Sequence, residues 1–173
     1  MDLSSNWFAA YFDRKIDMEE LIKTIGIDEE GFNNYLLDEL NSASQNHDSA
    51  RLEYLVFVLF LMRNKKGDER VFLTDYIDIL DQVLVEDWHN QHENIVLLLE
   101  VICNEKSLPC LYKTVFLQPK YLSWDDNHAL EVKCIRAIYR IGKEKASVFL
   151  ENLCSHENRI IREMAQKQLN KLS

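Results

Sequence analysis

Apolar side chains return every three or four residues over long stretches of this chain, and little interrupts them. Phe72, Leu73, Tyr76, Ile77, Leu80, Val83 and Leu84 fall on one stripe at helical spacing. Leu130, Cys134, Ala137, Ile138 and Ile141 make another, and Val132, Ile135 and Tyr139 mark a second side of that same helix. A helix apolar on two sides is expected to lie between neighbours. Ile161, Met164, Ala165, Leu169 and Leu172 form a further inward stripe. Four glycines and two prolines in 173 residues leave too little turn punctuation for a many-stranded β fold. The expectation is an all-α chain, one domain over residues 1–173. It would hold N-terminal helices over 1–46, helix pairs over 47–173, and about eight to ten helices in all.

Several helix ends are readable. Asp17 is a candidate N-cap with Glu20 as its capping-box partner, and Gly26 ends that helix. Asp28 and Asp48 are placed to cap the next two, the second ending near Arg63 with Gly67 beyond it. Ser107, with Pro109 in the first turn, opens a short helix that Pro119 ends, and Gly142 closes the helix that begins near Leu130.

The longest apolar run, Tyr54 to Met62, is nine residues. A membrane span needs about 20, so a buried helix is expected and no membrane partner. The N-terminal stretch lacks a cationic segment followed by an apolar one, so no signal peptide is expected. Cys103, Cys110, Cys134 and Cys154 form no CxxC pair and read as reduced core thiols of a cytoplasmic protein. The net charge of −9 is unevenly spread. Residues 1–100 hold 21 acidic and 8 basic side chains, a balance of −13, and residues 101–173 hold 8 and 12, a balance of +4. A nucleic acid is repelled by the first part and a basic protein attracted to it.

Similar openings precede the more apolar helices: "HDSARL" at 47, "HENIV" at 92, "NHALEV" at 127 and "HENRII" at 156. The segment from Ala129 to Leu172 resembles HEAT-type repeats, with Gly142, Glu157 and Arg162 at the places where that family carries a helix-ending glycine, an acidic turn and an arginine. The resemblance implies an irregular right-handed stack of antiparallel helix pairs used as a binding surface.

No P-loop, GxGxxG, GxSxG or HExxH motif is present, so no enzyme activity and no cofactor are expected. His89 and His92 would reach one metal from a helix, yet without a third ligand they read as solvent-facing or capping side chains, and no metal site is assigned. The candidate partner site is acidic and aromatic. On a helical wheel Asp75, Asp78 and Asp81 cluster opposite Leu80 together with Glu86, with no basic residue among them. Glu86, Asp87 and Glu93 surround Trp88, and Asp125 and Asp126 adjoin Trp124. Carboxylates beside a large ring suit an interface in which the ring anchors and the charges steer; the plainer alternatives are a solvated helix face and core tryptophans. In size, acidity and architecture the chain resembles bacterial immunity proteins. That resemblance implies a non-enzymatic module that neutralises a basic, nuclease-type toxin by occluding its active site; a general scaffold is the alternative.

Overall fold

The computed structural model describes residues 10–11, 13–17, 19–20, 23, 29–63 and 73–172. No strand occurs among them, and none of their helices is long and apolar enough to cross a membrane. The chain divides into two compact units, Met1–Leu55 and Val56–Ser173.

In the first unit Asp17 and Glu20 form the expected reciprocal capping box. The Glu20 N–H donates to Asp17 Oδ1 at 2.9 Å and the Asp17 N–H to Glu20 Oε2 at 3.2 Å. Gly26, Asp28, Gly67 and Phe72 lie outside the described residues. Helix α1 (Glu29–Gln45) buries Phe32, Leu36, Leu40 and Ala43 along one side. Asp48 caps α2 (Ser49–Arg63) by accepting from the Arg51 N–H at 3.0 Å. The Arg51 Nε also donates to Glu39 Oε2 at 2.7 Å, tying the first turn of α2 to α1. The long apolar run sits in α2, which continues into the second unit at Val56; Leu55, Val56, Val58 and Leu59 are buried and Phe57 is left 43% exposed.

The second unit continues with a 3-10 turn at Thr74–Tyr76 that leads into α3 (Ile77–Leu84), where a single helix was expected. Then come α4 (His92–Ile102), α5 (Leu108–Thr114), α6 (Ala129–Gly142), α7 (Ala146–Leu153) and α8 (Arg159–Leu169). The described members of the stripe, Leu73 to Leu84, are all buried. Helix α6 packs against α4, α5, α7 and α8, which is why its sequence is apolar on two sides. Ser107 stands at the N-cap position of α5, with Pro109 in the first turn, as expected. Its hydroxyl is buried and makes no capping hydrogen bond; Asn104 Oδ1 accepts from the Lys106 N–H at 2.9 Å and caps the 3-10 turn Glu105–Ser107 just ahead of the helix. The helix then stops at Thr114, ahead of Pro119.

Side chains record the register between helices. Glu93 with Lys133, Glu100 with Arg140 and Glu105 with Lys145 are three ion pairs, each joining residues forty positions apart. The first two run along α4 and α6, so these helices lie side by side in the same direction. Likewise Asp78 pairs with Lys106 and the Cys110 thiol donates to the Asp81 carbonyl at 2.9 Å, aligning α3 with α5. Tyr112 and Phe149, ring centroids 5.4 Å apart, join α5 to α7.

Gly142 does end α6, though not by adopting a positive φ. A methyl group there would meet Leu108 Cδ1 and Cδ2 and Ala146 Cβ, all at 3.1 Å, so the glycine permits close approach of α5 and α7. The next residue, Lys143, takes the positive φ of 45°.

Candidate partner-binding edge

Two connections meet where α4 and α6 begin. The first, residues 85–91, is held by histidines. His89 Nε2 lies 2.8 Å from the Val83 carbonyl and His92 Nε2 lies 2.7 Å from the Glu86 carbonyl. A ring nitrogen facing a carbonyl must donate, so both imidazoles carry their proton on Nε2. His89 so reaches the end of α3, whose Val83 carbonyl also accepts from the Glu86 N–H at 3.0 Å, and His92, at the start of α4, holds a carbonyl of the connection itself. The His89 Nδ1 accepts from the Gln91 N–H at 3.0 Å, which fixes the same tautomer independently. The two rings stack with centroids 4.1 Å apart, Trp88 stands edge-on to His89 at 4.9 Å, and Tyr121 stacks on His92 at 5.6 Å. Burial pushes the His92 imidazole down to about 4, with the neighbouring His89 next in effect, and burial lowers His89 too. Both histidines are buried, so they are capping side chains and not the solvent-facing ones that the sequence also allowed.

Tyr121 belongs to the second connection, residues 115–128, whose last turn Asp125 organises. Its carboxylate accepts from the Ala129 N–H at 2.7 Å and the Asn127 N–H at 3.0 Å. Those two donors hold it below the usual aspartate range. His128 takes a left-handed φ of 53° and links three elements. Its Nδ1 lies 3.0 Å from Glu131 Oε1, and its Nε2 lies 2.7 Å from Asn158 Nδ2. Asn158 in turn caps α8, its Oδ1 accepting from the Ile160 N–H at 2.8 Å. The beginnings of α4, α6 and α8 therefore lie along one edge.

The recurring "HEN" letters pair His92 with His156, but the structure pairs His156 with His89. Each stands three residues ahead of a helix start, and each Nδ1 accepts the N–H two residues on, from Asn158 and Gln91 respectively, at 3.0 Å. Arg162 completes the later turn by donating to the His156 and Glu157 carbonyls at 2.6 Å.

The expected acidic site is divided by the fold. Glu86, Asp87, Trp88, Glu93, Trp124, Asp125 and Asp126 all lie on this edge. Glu86, Asp87 and Asp126 are exposed and, among the described residues, form no ion pair. Trp124 is 76% exposed, whereas Trp88 is half-buried against His89. Glu93 is taken by Lys133 at 2.7 Å, and Asp125 by its capping role. A groove of about 380 Å³ beside Trp124 is lined by Lys120, Leu122, Asp125, Asp126, His128 and Glu131 among others.

Asp75 and Asp78 are elsewhere. Both are exposed, but Asp78 is paired with Lys106, in the connection that leaves the far end of α4. Asp81 is corrected: it does not share a solvated face with them. Its side chain turns inward at the α3–α5 contact, with Oδ1 buried. Burial pushes its carboxyl above the usual range, Asp78 adds to this, and Ser107 chiefly opposes it. The wheel placed Asp81 opposite Leu80, but α5 covers that side of so short a helix.

One surface went unnoticed in the sequence. Tyr112, Phe116, Phe149 and His156 form a ring cluster with centroid spacings of 5.2–5.4 Å, where Phe116 is 51% exposed, and nearby in sequence Val148 is 61% exposed on α7. Its only trace is the Tyr112–Phe116 spacing, which core packing explains equally well.

Cys110 and Cys134 are not placed as nucleophiles. Burial drives Cys134 well above its ordinary value and Cys110 up to about 12. Among the described residues no three His, Cys, Asp or Glu side chains gather as a metal ion requires. Comparison with protein-family models, curated proteins and solved structures finds no match to this chain.

Proposed function

We propose that this chain is a non-enzymatic protein-binding module, a HEAT-like right-handed stack of helix pairs that holds a basic protein against the edge bearing Glu86, Asp87, Trp124 and Asp126. One observation carries the reading: a tryptophan 76% exposed on an edge whose exposed carboxylates have no ion-pair partner among the described residues. An exposed indole costs solvation free energy that a partner's surface would recover, and it offers an aromatic face to a cation. The stack is supported by the pairs α3/α4, α5/α6 and α7/α8 and by the forty-residue register between them. In its most specific form the module is a cytoplasmic immunity protein. Its carboxylates then occupy the cationic groove in which a nuclease-type toxin holds substrate phosphates.

The test is capture of partners from the source organism. Wild-type protein is compared with a variant carrying Glu86→Lys, Trp124→Ala and Asp126→Lys. The proposal expects a polypeptide with a basic domain that the wild type retains and the variant loses. An acidic partner, or one held equally by both, overturns it. A scaffold or adaptor function is favoured by a different observation, the exposed Phe116 and Val148. That reading expects the charge-reversed protein to keep its partner and Phe116→Ala to lose it.

A further inference from the structure

We propose that the stacked His89–His92 pair is an acid-sensitive latch: neutral, it pins the connection 85–91 to the end of α3 and the start of α4, and on protonation it releases that connection while the helices stay packed. Both Nε2 protons are already committed to the Val83 and Glu86 carbonyls, so an added proton must enter at Nδ1. On His89 that atom accepts from the Gln91 N–H at 3.0 Å, and protonation would set one N–H against another. On His92 the Nδ1 is buried without a hydrogen-bond partner, so a new N–H there finds no acceptor. The rings are 3% and 0% exposed and their centroids 4.1 Å apart, so two imidazolium charges would repel with little solvent screening.

The surrounding charged and titratable groups set the trigger without removing it. Glu86 and Asp87, both exposed on the connection, favour the imidazolium. Glu93 at the start of α4 is already paired with Lys133 of α6, and Tyr121 stacks on His92 with its phenol pushed up to about 12 by burial. In the open connection the imidazoles regain their ordinary affinity for protons, so acid favours opening. The connection carries Glu86, Asp87 and Trp88, and its opening would disperse part of the proposed binding edge. That consequence rests on the proposed function; the latch itself does not.

Residue-resolved hydrogen exchange on the full chain, without any partner, tests it. The Glu86 N–H, bonded to the Val83 carbonyl at 3.0 Å, and the Gln91 N–H report on the connection. The Ile138 N–H reports on α6. Between pH 7.5 and 4.5, protection at Glu86 and Gln91 should fall about 100-fold relative to Ile138. His92→Phe keeps a stacking ring and removes one proton site, so its fall over the same range should be about tenfold or less. A parallel loss at Ile138, no loss at Glu86 and Gln91, or rings titrating at the ordinary imidazole value overturns the latch in the wild type alone. An undiminished fall in a folded His92→Phe overturns it as well.

Discussion

Asp81 shows how one residue's role depends on what packs over it. Its carboxyl is raised by burial beneath α5, so the folded protein holds a proton that the unfolded chain has already released. Such a group contributes stability at pH values below its unfolded value, and that contribution is lost as pH rises through the folded value. At neutral pH the ionised side chain therefore opposes folding. Asp81→Asn should raise the denaturant midpoint at pH 7, by about 1 kcal/mol in unfolding free energy, with the gain shrinking toward pH 4. A midpoint lowered more at pH 7 than at pH 4 would show instead that the carboxylate itself is needed. The sequence marks Asp81 only by its spacing from Asp75 and Asp78, and spacing cannot tell a solvated carboxylate from one covered by another helix.

Helix ends were legible where the signal is local and displaced where it is not. Asp17 with Glu20, and Asp48 with the Arg51 N–H, cap as their spacing predicts, because a capping side chain needs only its own turn. Ser107 stands where α5 opens, as its residue type predicts, yet its buried hydroxyl makes no capping bond, and Asn104 caps the 3-10 turn before it. The end of α6 separates two jobs that a single glycine often performs. Gly142 supplies room for Leu108, and Lys143 bears the backbone conformation, φ 45° and ψ −120°, that glycine tolerates best. Lys143→Gly should therefore stabilise the protein by about 1 kcal/mol, read as a higher thermal or denaturant midpoint. No change would mean that contacts of the lysine side chain offset the backbone relief.

At the scale of the whole molecule, charge is sorted between elements more than between halves of the chain. Of the carboxylates of α4 and its far connection, Glu93, Glu100 and Glu105 are taken up by cations forty residues further on; the first two pairs join the acidic first part to the basic second part, and the third lies within the second. Glu86, Asp87 and Asp126 stay exposed, with no ion pair among the described residues, on the edge where α4 and α6 begin. If these carboxylates steer a basic protein, the association rate constant measured by stopped flow should fall at least about tenfold between 20 and 300 mM salt, with dissociation changing less. An association rate indifferent to salt would place the affinity in apolar contacts, such as those Phe116 and Val148 offer.

Periodicity and composition alone determined that the chain is helical, where several helices start, and that α6 lies at the centre of its neighbours. Those properties depend on residues within a turn or two of one another. Only the tertiary structure decided which acids remain available, that Asp81 is covered, that His89 and not His92 corresponds to His156, and that two stacked histidines hold a connection in place. The first two depend on residues about thirty or forty positions away, and the others on bonds and ring packing that form only once the connections fold against their helices. A one-dimensional pattern carries no measure of which distant helix will come to lie over a given side chain.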